Sequence, residues 1–110
     1  MFSQAVLACL EDRPRAEVDS LAAAETTGLV VIRDSEPKYF AAGDLARCGY
    51  PELSLRLLRR AVEQNYCAYP TMDKDPLLAS VRGTPEFAEI RKMGIACQER
   101  FLAHRAATKK

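Results

Sequence analysis

The chain has no tryptophan, one histidine (His104), and five glycines scattered singly along its 110 residues. Each scarcity removes a class of chemistry. Isolated glycines form no phosphate-cradling loop. A lone histidine close to the C-terminus has no partner with which to build a general-base dyad or a zinc cluster. The four cysteines, at 9, 48, 67 and 97, contain no C-x-x-C pair, so no zinc-ribbon or thioredoxin-type redox motif is present. On spacing alone they are expected to be free, core-filling thiols. No run approaches the ~18 apolar residues of a membrane span, and "MFSQAVLACLEDRPR" lacks the basic start of a secretory signal. The expected location is cytoplasmic. Charge of one sign is also missing: 16 basic residues face 15 acidic ones, for a net +1. That balance argues against general nucleic-acid binding, which asks for a basic face.

What is present reads as one soluble domain, with 48% hydrophobic and 28% charged residues. Phe2, Val6, Cys9 and Leu10 recur near helical spacing, with Ser3 placed to cap, and "DRP" ends that helix. A second helix is expected over about 15–26, with Val18, Leu21, Ala22 and Glu25 on one face. "TGLVVIRDSEP" follows. Its β-branched run Leu29–Ile32 has no second strand to pair with and is expected to be an extended linker with its apolar residues turned inward. A third helix spans about 36–47, capped by Asp34 or Ser35, with Pro37 in its first turn and Gly49 as its left-handed stop. A fourth runs from Pro51 to about Gln64, with Leu55, Leu58, Ala61 and Val62 as its apolar stripe.

The segment "NYCAYPTMDKDPLLASVRGTPEF" (65–87) is dense in punctuation. Asn65 ends the fourth helix, and a short turn covers 69–72. Asp75 caps a brief helix that begins with Pro76, and Gly83 stops it. Thr84 caps the last helix, with Pro85 in first position. That helix shows Phe87, Ile90, Gly94, Cys97 and Phe101 at alternating spacings of three and four, a long apolar seam.

Small and large residues at fixed offsets suggest a helix-pair repeat. Across 35–68, Ala42, Leu45, Gly49, Ser54, Leu58 and Ala61 fall as in a tetratricopeptide repeat, with Lys38 where a large aromatic is usual and Tyr66 where proline is usual. Ala5, Ala8, Leu21 and Ala24 suggest an earlier, degenerate copy within 1–34, with Glu17 at a position that is usually small. "LRLLRRAVEQNYCAYPTMDKDPLLASVRGTPEFAEI" closely resembles the segment that closes many bacterial tetratricopeptide arrays fused to signalling proteins. The elements that carry the resemblance are Tyr66, Tyr69-Pro70, Asp75-Pro76-Leu77 and the run Arg82-Gly83-Thr84-Pro85-Glu86-Phe87.

The resemblance implies an all-α, antiparallel helix-pair solenoid of the tetratricopeptide kind. One domain covers 1–110, with repeats at 1–34 and 35–68 and a C-terminal cap over 69–107. A solenoid leaves its last apolar face open, and the cap covers it with Leu77, Leu78, Val81, Phe87 and Ile90. The implied function is noncatalytic: protein or peptide binding, with no metal and no cofactor, by what would be the C-terminal part of a larger bacterial signalling protein. Carried onto this chain, the groove positions are Glu36, Tyr39, Gly43, Ala46 and Arg47. The alternative is self-association, a homodimer made through the open N-terminal face of Phe2, Val6 and Leu10.

Overall fold

The structure is a computed structural model that describes residues 3–67 and 69–108. All regular elements among the described residues are helical. Ser3 Oγ accepts the Val6 amide and starts α1 (Gln4–Leu10). Helix α2 (Arg15–Val30) follows. Asp34 accepts the Glu36 amide at the head of α3 (Ser35–Arg47). Gly49, at φ +87°, turns the chain into α4 (Pro51–Glu63), and Asn65, at φ +71°, turns it out again. A left-handed residue just past a helix end is the common stop, and glycine or asparagine takes it at least cost.

Helices α3 and α4 form the central pair, with α2 and α6 (Pro85–Thr108) packed against α4. The offsets picked out in the sequence meet here. Ala42, Leu58, Ala61 and Ser54 have no exposed surface, and the Ser54 hydroxyl donates to the Ala42 carbonyl at 2.6 Å. Small residues at the crossing let the two backbones approach, and the serine satisfies its own polar atom there. Lys38 is also fully buried, and its ammonium donates to the carbonyls of Ile32 and Asp34. These bonds tie the α2–α3 connector to α3. Burial pushes the Lys38 pKa below the usual lysine range.

The segment after α4 is a short helix, α5 (Tyr69–Lys74), then a single 3-10 turn (Pro76–Leu78) capped by Asp75, whose carboxylate accepts the Leu77 amide at 3.0 Å. Thr84 Oγ1 accepts the Phe87 amide at the start of α6. Of the five apolar residues expected to cover the pair, Leu78, Val81, Phe87 and Ile90 are buried in the same core cluster as the α3–α4 residues, and Leu77 is half-buried.

Three expectations change. The run Leu29–Ile32 is not an extended linker: α2 continues through Val30. β-branched side chains cost a helix only up to ~0.7 kcal/mol each, whereas an unpaired strand would leave its backbone groups without partners. Leu29 and Val30 pack on the core, but Val31 (77% exposed) and Ile32 face outward. The seam of α6 ends at Cys97, and Phe101 is 57% exposed, because the helix runs past everything that could cover it.

The third change concerns the cysteines, which are paired and not free. Cys9 bonds Cys48 and Cys67 bonds Cys97, joining residues 39 and 30 positions apart. The first bond ties the end of α1 to the α3–α4 turn, and the second ties the exit of α4 to α6. Paired cysteines belong to oxidising compartments, which counts against the cytoplasmic expectation. No helix among the described residues is long and apolar enough to cross a membrane.

Candidate functional site

The five groove positions share one helix, but they do not share one open surface. Tyr39 and Ala46 are each 3% exposed, and Gly43 is buried. The cover is the chain's own 3-10 turn. A Cβ added at Gly43 would stand 3.1 Å from Leu77 Cβ, so the missing side chain is what lets the turn sit flat on α3. The Tyr39 hydroxyl donates to Asp75 Oδ2 at 2.9 Å, and its ring stacks on Tyr66 with centroids 4.8 Å apart. Arg82 completes the joint by donating to the carbonyls of Met72 and Asp75. Burial, then the bond to Asp75, raises the Tyr39 pKa well above the usual tyrosine range. Arg47 is exposed on the outer side of α3. Glu36, also exposed, is the one of the five that lines the open cleft described next.

That cleft lies where the start of α1 and the last turns of α2 face the first half of α3, with a volume of about 760 Å³. Leu29 and Phe40 supply its apolar surface, and Phe40 is 56% exposed. Four carboxylates line it, from Glu25, Asp34, Glu36 and Asp44, with no lysine or arginine among its lining residues. Two of them have structural duties: Glu25 Oε1 accepts the Ala5 amide at 2.9 Å, and Asp34 caps α3. Burial raises the Asp44 pKa, with Arg47 one turn away opposing that shift. A partly desolvated carboxylate next to an exposed aromatic favours an incoming cation.

By helical spacing Phe40 is expected on the apolar surface of the third helix with Tyr39, Ala42, Leu45 and Ala46, but it is 56% exposed in the cleft, and neither it nor Asp44 is picked out by sequence as a site residue, although a signal is there. Glu36, Phe40 and Asp44 follow one another at intervals of four, which sets an aromatic between two acids on one helix face.

Residues with chemical potential elsewhere are already committed. Asp73 is held by Arg91 through paired bonds of 2.8 and 2.9 Å, which keep its carboxyl below the usual range. Both disulfides remove thiol nucleophiles, and His104 lies on the exposed end of α6. No group of three metal-ligating side chains exists among the described residues. The chain matches no protein-family model, and comparison with curated proteins and with solved structures gives no match either.

Proposed function

We propose that this chain is a noncatalytic, tetratricopeptide-like interaction module, whose docking surface is the acidic cleft and not the face of α3 beneath the 3-10 turn. The observation that carries this reading is the cleft itself: the exposed Phe40 and four carboxylates line it, with no histidine, and its one hydroxyl side chain, Ser3, is engaged in capping α1. Supporting it are the burial of Ala42, Ser54, Leu58 and Ala61 and that of Leu78 and Phe87, positions on which the sequence resemblance to a repeat and its closing segment rests. Such modules close bacterial arrays attached to signalling proteins, and we assign this chain the same role, as the terminal part of a larger regulatory protein.

A screen of the full chain against a peptide array, with hits measured by calorimetry, tests the proposal. Bound sequences should be cationic with an apolar anchor. Affinities should be micromolar, about −8 kcal/mol, and Phe40→Ser, which removes the aromatic without adding charge, should weaken them at least about tenfold without moving the melting temperature. If no sequence binds better than millimolar, or Phe40→Ser leaves the hits unchanged, the proposal fails.

A further inference from the structure

Three helices wall the acidic cleft, and one of them is fastened differently from the others. Ser3 and Gln4, at the start of α1, form one wall. Helix α1 packs chiefly on α2. Of its buried residues Ala5, Val6 and Ala8, only Ala5 belongs to the core cluster, and its two leucines, Leu7 and Leu10, are 40% and 57% exposed. At seven residues it is shorter than the ~12–15 that an isolated helix needs to persist in water. Two ties hold it in place. The Ala5 amide donates to Glu25 Oε1 at 2.9 Å, and Cys9 is bonded to Cys48 at the α3–α4 turn.

Helix α2 does not depend on that disulfide. The Arg15 guanidinium donates to the carbonyls of Cys48 and Gly49 at 3.0 and 3.2 Å and lies over the Tyr50 ring, whose hydroxyl donates to Asp19 at 2.6 Å. Opening the Cys9–Cys48 bond therefore loosens α1 and leaves the other two walls standing. The bond is also approachable. Cys9 and Cys48 are both half-buried, whereas Cys97 of the second disulfide is 2% exposed. That second bond joins the exit of α4 to α6, and neither element lines the cleft.

We propose that the Cys9–Cys48 disulfide is a redox latch on the cleft: a dithiol reductant opens it, α1 comes away, and a bound cationic ligand is released. The exchange balances within the two partners. One thiolate of the reductant attacks a sulfur of the pair and breaks the S–S bond, forming a mixed disulfide. Its second thiolate then displaces the remaining cysteine and closes the reductant's own disulfide. Two electrons and two protons pass to Cys9 and Cys48, which end as thiols. With α1 loosened, the cleft loses Ser3 and Gln4, Glu25 loses the Ala5 amide, and an apolar anchor on Phe40 is no longer enclosed. The proposal rests on the reading of the cleft as the docking surface, but the release of α1 is measurable without any ligand.

Hydrogen exchange of the full chain, oxidised and then treated with dithiothreitol, tests that release. Amides of residues 6–11 should exchange at least about tenfold faster after reduction, with those of α3 and α4 changing far less. Helicity should fall by no more than the seven residues of α1. The variant Cys9→Ser, Cys48→Ser, which keeps the second disulfide, should show the fast exchange without reductant, and wild type makes the same comparison with no substitution. Unchanged exchange in α1, or equal acceleration throughout the chain, overturns the latch. A set of fluorescein-labelled nonapeptides, arginine-rich with one phenylalanine or leucine, is titrated into both forms. Those that bind the oxidised chain should lose at least about tenfold in affinity on reduction and regain it on reoxidation. Equal or tighter binding to the reduced chain overturns the latch and leaves the docking surface standing. If none binds either form better than millimolar, the docking reading fails and the latch on it fails too, whatever α1 does.

Discussion

Asp75 Oδ2 receives the Tyr39 hydroxyl at 2.9 Å while Oδ1 of the same carboxylate receives the Leu77 amide at 3.0 Å. One side chain therefore caps the 3-10 turn and fastens it to α3. Loss of an ordinary cap costs about 1 kcal/mol. Asp75→Ala also strands a buried phenol hydroxyl, which costs about 1–3 kcal/mol more, so the expected destabilisation is about 2–4 kcal/mol. Tyr39→Phe should cost about 1–2 kcal/mol, and the double variant less than the sum, with a coupling of about 1–2 kcal/mol. Urea denaturation of the four proteins measures it. Strict additivity would mean that the bond contributes nothing.

The same tyrosine gives a pH signature. Its folded-state pKa is raised, by burial and then by Asp75. The native state keeps a proton that the unfolded chain releases from about pH 10. Its contribution to stability is therefore whole below that pH and declines as pH rises beyond it. Lys38, whose pKa is lowered by burial, acts in the opposite direction: the unfolded chain holds more protons, so stability gains with pH up to about 10.4. The difference between wild type and Tyr39→Phe isolates the tyrosine. That difference should stay constant from pH 8 to about 9.5 and then shrink as the pH climbs further. A constant difference to the alkaline limit of folding would show that Tyr39 titrates normally.

The helix ends were the most legible part of this fold. Ser3, Asp34, Asp75 and Thr84 each make the cap that their positions announce, and Gly49 and Asn65 take positive φ where the chain must leave a helix. These are local decisions, made within four residues. The errors came where a tertiary distance decided. Leu29–Ile32 looked extended because β-branching is a local preference, and packing of Leu29 and Val30 on the core overrode it. The groove residues come from the resemblance to a tetratricopeptide helix pair, and a position on that pair says nothing about where the Asp75–Leu78 turn of this chain lands. The acidic cleft needs Glu25 from α2 beside Asp44 from α3, 19 positions along the chain. Only its stripe along α3 could be read from sequence.

The disulfides show the same limit and are simple to test. Cys9 and Cys48 have Cα atoms 6.2 Å apart, and Cys67 and Cys97 5.4 Å, distances that no sequence spacing encodes. Thiol titration of the denatured, unreduced protein should find no free cysteine. Reduction should lower stability by about 2–4 kcal/mol per bond, because each closes a long loop in the unfolded chain. Finding all four thiols free in protein purified under oxidising conditions would overturn both pairings.

The cap gives the final prediction, and Gly43 makes it sharper than burial alone. Leu78 and Phe87 are 0% and 2% exposed, so Leu78→Ala should cost about 2–5 kcal/mol and Phe87→Ala about 3–5 kcal/mol. Leu77 is only half-buried and should cost less than either. Gly43 adds a different kind of evidence, because substitution there enlarges a side chain instead of deleting one. Its Cβ position lies 3.1 Å from Leu77 Cβ and 3.3 Å from Leu77 Cδ1. A bare methyl, Gly43→Ala, brings up to about 1 kcal/mol of helix propensity against a contact that the turn can relieve by a few tenths of an ångström, so its net effect should be near zero. Gly43→Val cannot be absorbed that way. It should push the 3-10 turn off α3 and cost about 1–3 kcal/mol through overpacking. Leu77→Ala should relieve part of that cost, since two of the three closest atoms then disappear, so the Gly43→Val, Leu77→Ala pair should lose less than the sum of its singles. Limited proteolysis gives a second readout: Gly43→Val should expose cleavage between 75 and 84 while leaving α3 and α4 protected. If Gly43→Val is neutral and its effect adds to that of Leu77→Ala, the turn does not rest on α3, and the face of α3 bearing Tyr39, Gly43 and Ala46 becomes open surface again.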